Sequence, residues 1–62
     1  MAILKDLRGM NARDAHWELL SNKFKQVASR FNGSVIFNEY QSDYETVVIM
    51  IEPKSMIVRE SM

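Results

Sequence analysis

The side chains able to do chemistry are few in this 62-residue chain, and their spacing keeps them apart. His16 is the single histidine, and so the one side chain of a type that titrates near neutral pH without a shift. A catalytic histidine needs a nucleophile to activate or a carboxylate to orient it. Asp14 and Glu18 stand two residues away on either side, and side chains two apart on a helix do not face each other. A surface or half-buried histidine beside Trp17 is the expectation. The second half carries Glu39, Asp43, Glu45 and Glu52. Asp43 and Glu45 fall at a polar turn, where they read as a solvated acidic rim rather than an acid–base pair.

Metal and cofactor chemistry has equally little to build on. With no cysteine and one histidine, a zinc site of the usual Cys/His kind cannot be assembled within one chain. The ligand pattern of a calcium-binding helix–loop–helix is absent, as are the phosphate-loop, dinucleotide and H-E-x-x-H motifs. Two glycines leave little from which to make a phosphate cradle. No cofactor and no metal are expected, and the chain reads as a non-enzyme.

A basic surface is the other chemical option. Arg13, Lys23, Lys25 and Arg30 would line one stretch of helix, and Phe37, Tyr40 and Tyr44 would offer stacking platforms of the kind single-strand binders use. The formal net charge is zero, however, and nucleic-acid binders usually present a strongly basic face. Charge is unevenly placed: residues 1–31 hold six cations against three carboxylates, and residues 32–62 hold two against five. Nucleic-acid or nucleotide binding through a basic helix stripe is therefore the alternative reading, not the first.

The elements that must position these residues follow from periodicity. Ile3, Leu4 and Leu7, with Gly9 after them, fit either a short helix or a short edge strand over residues 2–8. Asn11 is a good N-cap, and Asp14 complements the positive helix end. Trp17, Leu20, Phe24, Val27 and Phe31 recur at spacings of three and four, and Asn32-Gly33 reads as a stop, which predicts one amphipathic helix over residues 12–31. The pattern then changes to the β-branched and aromatic residues of strands. Strands are predicted at 34–40, 44–52 and 55–60, separated by Gln41-Ser42-Asp43 and by Pro53-Lys54-Ser55. Short connections make these a three-stranded antiparallel meander. The fold class is α+β, one helix on the sheet, in a single domain of residues 1–62.

Such a sheet has two faces and the helix covers one. Along the middle strand Thr46, Val48 and Met50 point one way and Val47, Ile49 and Ile51 the other, and both sets are largely apolar. The second face calls for the N-terminal segment, a second copy of the chain or another protein. A domain this small has a marginal core, and without disulfides or a metal the usual remedy is oligomerisation. Self-association is the leading expectation, with cover by the N-terminal segment next and an unidentified protein partner after it. Tyr40, Tyr44, Val47, Ile49, Ile51 and Ile57 are the candidate oligomer or partner interface. No apolar run reaches the ~18–20 residues of a bilayer span, and the interrupted N-terminus does not resemble a signal peptide, so a cytoplasmic protein with no membrane partner is expected. Size and style suit an accessory or inhibitor protein of the kind phages and mobile elements encode.

Overall fold

Asn11 opens the helix. Its backbone is extended and its side-chain oxygen accepts the Arg13 N–H at 2.8 Å, satisfying one of the N–H groups that a first turn leaves without an intrahelical partner. In the computed structural model, which describes residues 6–61, helix α1 runs from Ala12 to Ser21 with Asp14 in its first turn. Four strands follow: β1 (Lys25–Asn32), β2 (Val35–Gln41), β3 (Thr46–Glu52) and β4 (Ile57–Ser61). They form one antiparallel sheet in the order β1-β2-β3-β4. The class is the expected one, a helix packed on an antiparallel meander.

The helix predicted over 12–31 is corrected: it ends at Ser21, and its second half is an additional edge strand. The chain turns at Asn22-Lys23. Lys23 takes φ +70°, its N–H donates to the Leu20 carbonyl, and the Phe24 N–H donates to the Leu19 carbonyl, both at 3.1 Å. This pair of bonds with a left-handed residue between them is the Schellman stop, and it normally brings a hydrophobic contact across the turn. Phe24 and Leu19 are both buried in the core. Asn32-Gly33 belongs to the β1–β2 hairpin instead, where Asn32 pairs with Val35 and Gly33 takes φ +62° in a two-residue loop. That conformation favours glycine, and a Gly-Ser loop, here Gly33-Ser34, is one of the two-residue connections that hairpins use.

The other boundaries shift by a few residues. Tyr44 and Glu45 leave the predicted second strand for the β2–β3 loop, where the Ser42 hydroxyl accepts both of their backbone N–H groups at 3.2 Å. The last strand starts at Ile57. Most of the segment expected at 2–8 lies outside the described residues. Its described part brings Leu7 into the core. Beyond it, Gly9 donates to the Val58 carbonyl, Val58 to the Met10 carbonyl and Ala12 to the Met56 carbonyl, at 2.7–2.9 Å. These bonds cover the outer edge of β4, which would otherwise present unpaired backbone groups.

One hydrophobic cluster holds the layers together: Leu7 and Ala12, Ala15, Leu19 and Phe24 from the helical side, and Tyr40, Ile49, Ile51 and Val58 from the sheet. Met10, Ile36 and Val47 pack against its margin. The helix therefore takes the Val47, Ile49, Ile51 face of β3.

Candidate functional site

Directly opposed residues of an antiparallel pair share a face, so the register defines what lies on the side away from the helix. Arg30 pairs with Phe37, Phe37 with Met50 and Met50 with Glu60. Ala28 pairs with Glu39, and Glu39 with Val48. Lys25 pairs with Gln41, Gln41 with Thr46, and Glu52 with Ile57. Bulges keep this parity along the edge strands: Val27 is the extra residue on β1 and Arg59 on β4. Val35, Phe37, Val48 and Met50 form the apolar centre of the open face, half-buried by their neighbours in the sheet. Among the described residues no helix or strand lies over them.

Charge on this face is graded. Lys25 and Arg30 stand on β1, at one edge, and Glu52 and Glu60 on β3 and β4, toward the other. Glu39, on β2, is diagonal to Arg30, within reach of a long side chain. A cavity of about 500 Å³ runs along the β1–β2 side of the face, where Arg30, Phe37, Glu39 and Val48 line it.

The expected interface set is largely redistributed. Tyr40, Ile49 and Ile51 are fully buried under the helix, which removes them from any surface a partner could meet. Val47 packs at the core margin. Tyr44 is 89% exposed at the tip of the β2–β3 loop, and only Ile57 lies on the open face. The physical reason is the rest of each row. On β3 both parities are apolar, but the opposite parity of β2 carries Glu39 and Gln41, whereas the helix-facing parity carries Ile36 and Tyr40. Phe37, Val48 and Met50 belong in the site, and β2 read together with β3 was the signal for them.

The basic residues do not form a stripe along the helix. Arg13 lies in its first turn, Lys23 occupies the turn after it, and Lys25 and Arg30 are on β1. His16 is accounted for by the core: its Nδ1 lies 2.7 Å from the Tyr40 hydroxyl, with the two rings edge to face. Burial raises the Tyr40 hydroxyl above the usual phenol range. At the surface the Arg8 guanidinium, bonded to Asp6 at 2.8 Å, holds that carboxyl at about 2. Among the described residues no group of three His, Asp or Glu could hold a metal ion, and no helix is long and apolar enough to cross a membrane.

What fold and site define together is a helix-packed meander whose second face is charge-graded and, among the described residues, uncovered. No protein-family model, curated protein or solved structure matches the chain.

Proposed function

We propose that the chain is a non-enzymatic protein-interaction module that works through the open face of its sheet and acts as a homo-oligomer. One observation carries this reading: Val35, Phe37, Val48 and Met50 sit side by side on the face opposite the core, with no described element over them. Apolar surface gathered into one patch is stabilised by removal from water at about 25 cal/mol per Å², and a patch rimmed by charges is the usual form of a protein contact surface. A small core makes the same demand from the side of stability, since association adds buried area that one chain cannot supply. The accessory or inhibitor role expected from size is consistent with a surface that occupies another protein and has no chemistry of its own.

The test is the solution mass of the wild type and of Phe37→Asp, by light scattering after size exclusion at two concentrations. The wild type is expected above the 7.2 kDa of one chain, increasing with concentration, and Phe37→Asp at the mass of one chain with its circular dichroism unchanged. A wild type that stays monomeric overturns the homo-oligomer. A Phe37→Asp variant that associates like the wild type overturns the open face as the contact surface.

A further inference from the structure

One row of the open face crosses all four strands, and its order is informative. It reads Arg30, Phe37, Met50, Glu60 from β1 to β4: cation, aromatic ring, thioether, carboxylate. The charge is antisymmetric about the line between β2 and β3. A row with this property complements itself under one operation. A two-fold axis parallel to the strands, midway between two stacked sheets, lays β1 of one copy over β4 of the other and β2 over β3. Arg30 then faces Glu60 of the second copy at both edges. Phe37 faces Met50 of the second copy twice at the centre, a favourable sulfur–aromatic contact. The two-fold at right angles to the strands would instead stack Arg30 on Arg30 and Glu60 on Glu60, and like-charge repulsion opposes it. Lys25 and Glu52 lie in other rows, at opposite ends of the strands, and do not meet under this two-fold.

We propose that the second face is covered by a second copy of this chain, in a sheet-on-sheet homodimer whose two-fold runs parallel to the strands. Arg30–Glu60 pairs close it at both edges and Phe37–Met50 contacts fill its centre. This deepens, and rests on, the reading of the open face as a contact surface. Aligned sheets pack ~10 Å apart with their strands within ~30° of one another, so the central row stays in register. The projected footprint, roughly 19 × 17 Å from strand spacing and rise, is well below the ~800 Å² per partner of a standard interface. The dimer is therefore weak and concentration-dependent.

Two charge reversals test the geometry, because Arg30 and Glu60 are both exposed and lie on opposite edges of their own sheet. Arg30→Glu alone, or Glu60→Arg alone, places like charges at both edges of its own dimer. A 1:1 mixture allows a heterodimer with opposite charges at both edges. Arg8, which lies within electrostatic reach of Glu60, is retained throughout. By sedimentation equilibrium each single variant is expected to dimerise on the order of tenfold more weakly than the wild type, and the mixture to recover wild-type affinity. Three results overturn the proposal: a monomeric wild type, single variants that dimerise as well as the wild type, or a mixture that does not recover. Phe37→Asp separates the two levels. If it dissociates the dimer while the reversals have no effect, the open face remains the contact surface and this two-fold falls. If it has no effect either, the contact surface falls with it.

Discussion

Neighbouring residues of β3 belong to two different environments. Ile49 and Ile51 are sealed between sheet and helix, while Val48 and Met50, one position away, lie half-buried on a face with nothing described above it. The difference is one of available cover. A ten-residue helix is about 15 Å long, and with Leu7 and Phe24 it encloses one face of β2–β4. Among the described residues no second helix lies over the other. Even on the helical side β1 runs past the cover, so that Phe31 is 66% exposed. Among the described residues one face of the sheet is dry and the other is open.

The sharpest way to break this contrast is to remove the same kind of volume from each face. Ile49→Ala should destabilise the fold by about 2–5 kcal/mol, because the buried site cannot collapse around the cavity. Val48→Ala should lose less than about 1 kcal/mol at concentrations where the chain is monomeric, since its side chain is already partly in water. Urea unfolding of the two variants measures both. Equal losses would mean that the open face is as well enclosed as the core.

The Tyr40–His16 contact sharpens the same contrast from the polar side. Tyr40→Phe removes the hydroxyl and leaves the His16 Nδ1 unpaired on a half-buried ring, a loss of about 1 kcal/mol. The pH dependence has a definite sign. The neutral hydroxyl is favoured in the folded state, so its folded pKa lies above the ordinary value of 10.0. Below pH 10 both states hold the proton and the group contributes no slope. Above it the unfolded chain ionises first, so stability falls as pH rises toward the folded pKa. Thermal melts between pH 8 and 11 (on the order of the phenol range) should show this decline in the wild type and a shallower one in Tyr40→Phe.

Much of the architecture was legible along the chain. Asn11 announced the helix start, and the β-branched runs announced β2 to β4. The length of the helix was not, because Trp17, Leu20, Phe24, Val27 and Phe31 satisfy a helical period over a stretch that is only half helical. In the folded chain Leu20 is half-buried and Phe24 buried, but Trp17, Val27 and Phe31 are exposed. The actual stop lies at Lys23, a residue with no intrinsic preference for the left-handed conformation it takes. The glycine that the pattern did offer, Gly33, was serving a hairpin. Lys23→Gly should therefore stabilise the chain by roughly 0.5–1 kcal/mol, read as a rise in the thermal midpoint. Loss of stability would show that the Lys23 side chain contributes more to the turn than its backbone strain costs. The open face was hidden for a related reason: either parity of β3 could have faced the helix, and only the register with β2 places Glu39 and Gln41 on the outside.

Glu39 gives the smallest effect on the fold and the most direct comparison of fold with association. It sits amid the open face, between Ala28 and Val48, where a single chain leaves its carboxylate in contact with water. In the two-fold dimer it lies over Val48 of the second copy, and the diagonal Arg30 of its own chain offsets only part of its desolvation. Replacing it with Val should change the unfolding free energy of the monomer by no more than about 0.5 kcal/mol, as expected of a partly exposed position away from the core. The same substitution should tighten self-association, because the one anion at the centre of the contact is exchanged for a β-branched apolar side chain that suits a strand. Urea melts at low concentration and sedimentation at high concentration read the two quantities separately. A tighter dimer at unchanged monomer stability assigns the open face to association alone. If Glu39→Val instead stabilises the monomer and leaves the mass unchanged, the carboxylate acts within one chain and the two faces differ only in how wet they are.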